Sequence, residues 1–191
     1  MIVFYKEEIR KRLSDYRYHH SLCVAKAAKE LAHLYGADEE KAEIAGILHD
    51  IMKDTPKNIQ LQLMEQFGII LDDFEKESET LWHARLGAAF IENELNIKDE
   101  EIIDAIRYHT TGKADMSLLT RIIFTADFIS DDRSYPGVEE MRSMAFSSLT
   151  EAMLEGLAFT LKELSEKRRV LHPDTLSAYN YLIIEKRRKE D

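Results

Sequence analysis

The sequence predicts an all-α protein, a single helical bundle of the kind that forms around one core. Three observations lead there. Apolar residues recur at helical spacing along nearly the whole chain, and no stretch shows the period-two alternation of a half-buried strand. Only 7 Gly and 3 Pro interrupt 191 residues, and they fall where helices would end. With 45% hydrophobic residues, a chain of this length buries one substantial core without disulfides or a structural zinc. Neither internal repeats nor low-complexity linkers divide it, so residues 1–191 are read as one domain.

The elements follow in order. Asp15 is placed to cap a helix over about 18–35, with Leu22, Ala25, Ala28, Leu31 and Ala32 on one face and Gly36 ending it. Asp38 caps the next, whose Ala42, Ala45 and Leu48 lead into His49 and Asp50. Thr55 and Pro56 read as N-cap and first helical residue of a third helix, which stops near Gly68. Further helical patterns cover about 81–95, 99–109, 117–129, 149–167 and 174–186. The basic run Lys186-Arg187-Arg188-Lys189 is suited to the C-terminal end of the last of these, where cations complement the helix dipole.

Charge and cysteine usage exclude several classes of function. A formal net charge of −10 opposes binding to nucleic acid or an anionic membrane. Any anionic substrate must then be met locally, by metals and a few basic side chains. The lone Cys23 is read as a small core residue rather than half of a disulfide. The first residues turn charged too early for a signal peptide, and no apolar run reaches bilayer length, so a cytoplasmic protein is expected.

Six residues carry the chemistry: His20, His49, Asp50, His83, His109 and Asp127. Imidazole and carboxylate together suit Fe, Mn or Zn better than Ca or Mg. The His49-Asp50 pair means little alone, since 7 His and 36 acidic residues produce about one His-acid pair by chance. The company it keeps is what matters, because helical bundles build metal sites from inward side chains on several helices. Successive helical residues point about 100° apart, so His49 and Asp50 serve one cluster only beside a helix end or where the helix loosens. Asp50, set between two metals, is the candidate bridge.

Three quoted segments narrow the reading. Arg17-Tyr-His-His20-Ser, Leu48-His49-Asp50-Ile-Met-Lys53 and Thr125-Ala126-Asp127 resemble the HD superfamily of metal-dependent phosphohydrolases. With His83-Ala-Arg-Leu-Gly87-Ala, His109-Thr110-Thr111-Gly112 and the run from Asp127 through Arg133 to Gly137, the chain is similar to the YqeK family within it, bacterial enzymes that cut diadenosine tetraphosphate symmetrically into two ADP. The resemblance spans about 17–181. It implies an all-α fold and two divalent or trivalent metal ions on the six residues, iron first, with Mn, Co or Zn as alternatives. The Arg-x-x-His spacing from Arg17 selects His20 over His19 as the ligand. Ile51 and Met52, and Ser130-Asp131-Asp132, depart from the family's commonest residues at positions that shape the base or phosphate pocket.

The implied mechanism is attack by water activated between two cations, with Asp50, Lys53 and Arg133 in catalytic roles. Lys53, Arg133 and Arg17 would meet phosphate charge, while Thr110, Thr111 and the amides near Gly112 would add hydrogen bonds. His33 and His172 are read as surface or helix-start residues, and Trp82 and Tyr135 as core packing, pocket wall or base-stacking groups. The expected partner is a small nucleotide, with no nucleic acid and no membrane; a homodimer is left open. Two other functions fit the residues: an HD phosphohydrolase for another nucleotide, and a non-catalytic nucleotide-binding module, which metal-dependent turnover would eliminate.

Overall fold

The computed structural model describes residues 1–190, and the side chains of 1–188. Eleven α-helices follow one another with no strand among the described residues: α1 (Ile2–Arg10), α2 (Asp15–Tyr35), α3 (Glu39–Leu48), α4 (Lys57–Gln66), α5 (Asp73–Lys76), α6 (Trp82–Asn93), α7 (Glu100–Arg107), α8 (Leu118–Ile129), α9 (Val138–Ser147), α10 (Leu149–Glu166) and α11 (Pro173–Glu190). A short 3₁₀ turn, Glu79–Leu81, leads into α6.

Local chemistry sets the helix ends. The side chain of Asp38 accepts from the amides of Glu40 and Lys41, and that of Asp99 from those of Glu101 and Ile102. Ser117 and Ser148 do the same for Thr120 and Glu151. Such caps stabilise by about 1 kcal/mol each. Gly36 closes α2 with φ 75°, a left-handed conformation that costs glycine little. Two expected ends are corrected. Ser14, not Asp15, caps α2: its hydroxyl accepts from Arg17 N while Asp15 sits in the first turn and pairs with Arg10. Pro56 stands at the N-cap of α4 without a side-chain bond, and the Thr55 hydroxyl turns back to Met52 Sδ.

The bundle is organised around α3, whose Ala42, Ala45, Ile47 and Leu48 are fully buried between α2, α7 and α8. Each large aliphatic side chain buried this way is worth about 1.5–3 kcal/mol. At Gly46 the backbones of α3 and α2 come so close that a Cβ there would lie 2.5 Å from Ala25 Cα. A second, smaller cluster of Met116, Phe124, Met153, Leu157, Ala178 and Leu182 fastens α10 and α11 to the outer side of α8. Thus α8 has a core on each side: Ile122, Ile123, Ala126 and Ile129 belong to the main one.

The helices α1, α5 and α9 go beyond the sequence reading. In α1, Tyr5 and Ile9 dock one stripe on the main core beside α3. The helix α9 starts directly after Gly137, which takes φ 90°, and buries Val138, Met141 and Ala145. Within the C-terminal basic run, Lys186 reaches Glu151 of α10 at 2.8 Å, Arg187 and Arg188 are exposed, and the side chain of Lys189 lies outside the described residues. Among the described residues no helix is long and apolar enough to cross a membrane.

Candidate metal centre

Five segments meet beneath the α2–α8 face. His20 lies in the second turn of α2, His49 and Asp50 just past α3, His83 at the start of α6, His109 just past α7, and Asp127 in the last turn of α8. The main chain tightens as α3 ends, with i→i+3 bonds from Ile51 N to Leu48 O and from Lys53 N to Asp50 O. That break from regular α-helix is what allows adjacent His49 and Asp50 to face one cluster. The four histidines and Asp50 are all buried to within 2% exposure, and the Asp127 side chain is 20% exposed.

The two oxygens of Asp50 face different partners. Oδ1 lies 3.0 Å from His83 Nε2 and 3.6 Å from His109 Nε2, while Oδ2 lies 3.6 Å from His49 Nε2. His20 Nε2 is 3.0 Å from Asp127 Oδ1. One ligand atom from each member of His20, His49 and Asp50 falls within 4.8 Å of the others. The same holds for His49, His109 and Asp127, and for Asp50, His83 and His109. Overlapping triplets of this type suit two adjacent ions that share Asp50.

Backbone and carboxylate acceptors fix which nitrogen points inward in three of the four rings. His49 Nδ1 donates to Gly46 O at 2.8 Å and His109 Nδ1 to Ile106 O at 2.7 Å, so both Nε2 atoms carry lone pairs toward the cluster. His49 Nε2 is buried without a hydrogen-bond partner, an arrangement that a metal ion satisfies. His20 Nδ1 donates to Asp132 Oδ2 at 2.8 Å, and Asp132 is held by the Ser130 hydroxyl at 2.7 Å. Burial presses His49 and His83 down to about 4, which keeps them neutral and able to ligate near pH 7. Burial works against ionisation of Asp50, but its histidine neighbours outweigh it and hold the carboxyl well below the usual range. Asp127 is likewise held low against its burial, by His20, His49 and Arg133.

Three basic side chains surround this cluster. Arg17 Nη1 is 3.1 Å from Asp50 Oδ2; Arg133 donates through Nε to Asp127 O at 2.7 Å and through Nη2 to Asp127 Oδ1. Lys53 Nζ sits 3.3 Å from His83 Nε2, and burial lowers its pKa. The structure therefore brings together all six expected ligands with Arg17, Lys53 and Arg133.

Thr110, Thr111 and Gly112 are placed differently. Thr110 and Thr111 line two cavities of about 450 and 610 Å³ that contain none of the six ligands. Thr111 Oγ1 donates to Gly112 O, whereas Thr110 Oγ1 is buried without a partner. The amide of Gly112 itself donates to Tyr108 O at 2.8 Å, closing the turn after α7. Gly112 also has φ 65°, and a Cβ there would press on Ala178.

The remaining readings resolve as follows. Trp82 packs in the main core with its indole donating to Glu75 O, and His19 points away toward Cys23, which is half-buried rather than in the core. His33 is exposed beside Glu39, and His172 precedes α11, where its Nδ1 accepts from Asp174 N. Asp132 is the site residue that sequence reading missed. Its signal was a carboxylate five residues after Asp127 in a loop, which many acidic residues in this chain would imitate.

A buried His/Asp cluster centred on Asp50, set in an α-helical bundle, defines a metal-dependent hydrolase fold, and residues 17–131 match the HD domain model. The chain belongs to the HD domain family. It is 40% identical over 179 residues to "Bis(5'-nucleosyl)-tetraphosphatase, symmetrical" of Halalkalibacterium halodurans, covering 94% of this chain and 95% of that protein. The protein of the same name from Bacillus subtilis is 40% identical over 177 residues, 92% of this chain and 94% of the relative. A crystal structure from Clostridium acetobutylicum, described as a predicted HD superfamily hydrolase involved in NAD metabolism, superposes with a TM-score of 0.93 at 36% identity, covering 97% of this chain and 98% of that one.

Proposed function

We propose that this protein hydrolyses diadenosine tetraphosphate symmetrically to two ADP, using two metal ions held by His20, His49, Asp50, His83, His109 and Asp127. The observation that carries the reading is Asp50, whose Oδ1 faces His83 and His109 while Oδ2 faces His49. Relatives that match nearly the whole chain carry the name of that activity. When bound, a metal pair supplies a water of lowered pKa and neutralises phosphoryl oxygens. Iron is the metal proposed, since imidazole and carboxylate ligands suit it, with Mn, Co or Zn able to replace it.

The chain's own residues do the rest. Asp132 and the carbonyls of Gly46 and Ile106 hold three imidazoles in the tautomer that presents Nε2. Arg17, Lys53 and Arg133 bring three positive charges to the rim of two carboxylates, where a polyphosphate chain needs them. The arginines suit bidentate contact and Lys53 a point charge. A cytoplasmic location fits the acidic chain and its lone cysteine.

The test is a nucleotide panel with product analysis on protein loaded anaerobically with iron. Two ADP from diadenosine tetraphosphate is the expected result, with about two metals per chain by elemental analysis. ATP plus AMP, or faster turnover of a nucleoside mono- or triphosphate, would redirect the substrate; turnover independent of metal would remove the mechanism.

A further inference from the structure

Next to the metal cluster, beyond Asp127, the structure opens into a cavity of about 240 Å³ lined by Asp127, Phe128, Arg133, Tyr135 and Phe159. It continues along Phe128, Tyr135 and Phe159 into a second space of about 200 Å³ bounded by Met141 and Met144. Between Tyr135 and Phe159 the lining is aromatic, with Asp127 and the Arg133 guanidinium at the end nearest the cluster, while Glu140 and Glu155 border the far space. Tyr135 and Phe159 face one another within 26° of parallel, 6.3 Å between ring centroids.

That spacing has a specific use. A planar ring lying between two others needs about 3.5 Å on each face, roughly 7 Å in all. One wall is fixed, because the Tyr135 hydroxyl donates to Phe128 O at 3.1 Å. The other is adjustable, because Phe159 projects from α10 with 52% of its surface exposed and can yield the last fraction of an ångström. An exposed phenylalanine opposite a tethered tyrosine, with a cation at one end, suits a flat heteroaromatic ring attached to an anionic chain. Aliphatic ligands would be too thick for the slot, and stacking accepts any base because every base has a π-face.

We propose that the Tyr135–Phe159 slot binds a nucleobase, the adenine of one half of the substrate, with its phosphates passing Arg133 to the metal cluster; this rests on the dinucleotide reading above. Tyr135 and Phe159 are then the residues that make the enzyme prefer a nucleotide to a bare polyphosphate.

The experiment compares wild type, Phe159→Ala and Phe159→Trp, each as the metal-loaded full chain, by calorimetric titration with ADP and with pyrophosphate, which lacks a base. Thermal unfolding of each variant checks that the fold is kept. Loss of a stacking partner is expected to weaken ADP roughly five- to a hundredfold. Pyrophosphate should stay within about twofold, and the tryptophan should restore ADP binding. In turnover of diadenosine tetraphosphate, Phe159→Ala should raise KM and change kcat little. Equal weakening of ADP and pyrophosphate, or unchanged ADP affinity in Phe159→Ala, would overturn the slot. If base-dependent ADP binding needs Phe159 while diadenosine tetraphosphate is not cleaved, the slot stands and the assigned substrate falls.

Discussion

Replacing Gly46 with alanine should damage both the fold and the metal site, although alanine is the better helix former. A Cβ at Gly46 would lie 2.5 Å from Ala25 Cα, 2.9 Å from Ala25 N and 3.2 Å from Val24 C. Ordinary contacts are about 3.5–4.0 Å, so α2 and α3 must separate by about 1 Å. All three atoms are backbone, which no rotamer change can relieve. Overpacking of this kind costs about 1–3 kcal/mol or more, against about 1 kcal/mol gained in helix propensity. Backbone clashes belong at the upper end, leaving a net loss of about 2 kcal/mol. For a domain of this size that lowers Tm by roughly 4–8 °C. The consequence reaches the site because α2 carries His20 and α3 ends at His49, whose rings lie edge to face 5.3 Å apart. Gly46 O also accepts from His49 Nδ1. Thermal unfolding by circular dichroism and metal titration of the purified variant read both effects. Gly87→Ala is the matched control, since its Cβ would meet Ile106 and Ile51 side chains at 3.5 Å and should be tolerated. If Gly46→Ala matched wild type in Tm and metal affinity, the close approach of α2 and α3 would not be what sets the distance between His20 and His49.

Three further outcomes are expected. Arg133→Ala should keep its metals and lose about ten- to a thousandfold in kcat/KM for diadenosine tetraphosphate, but far less for a phosphate monoester, as befits the loss of a charged hydrogen bond of about 1.5–4 kcal/mol; equal losses on both substrates would place Arg133 in general support of Asp127. Asp132→Ala, which frees His20 Nδ1, should weaken metal binding about ten- to a hundredfold in competition with a chelator while thermal unfolding changes little, and unchanged affinity would show that His20 is oriented without it. Metal-free protein should lose stability as pH falls from 7 to 5, because His49 and His83, lowered to about 4 in the fold, take up protons more readily when unfolded. Their contribution is fully present above about pH 6.5 and declines toward pH 4, by about 2 kcal/mol for each histidine at pH 5. Part of this is returned by His20, whose pKa is raised by Asp127 against its burial. A flat urea midpoint across that range would contradict neutral, buried imidazoles.

Much of this architecture was legible because its signals are local. Period 3.6 in α2, α3 and α8, and the side-chain cap at Asp38, depend on neighbours in sequence. The six candidate ligands were legible because five short segments resemble the HD pattern, and the Arg-x-x-His spacing from Arg17 chose His20 over His19. What stayed hidden depends on contacts distant in sequence. The α1 stripe has only Tyr5 and Ile9 to announce it, and its partner α3 lies some thirty residues on. Asp132 gains its role only when the loop after α8 folds back to His20, 112 residues away. The packing of Gly112 against Ala178 of α11 was equally hidden, because its motif neighbours do not reveal what its Cα faces.

The small cluster joining α10 and α11 to the outer side of α8 contains none of the six ligands. Side chains on those helices can therefore vary in size and shape without altering any of the six proposed ligands, provided the cluster still closes on Phe124. A protein built this way can change which molecule it admits while its hydrolytic machinery is inherited intact, so divergence in preference among related chains should concentrate after Asp127.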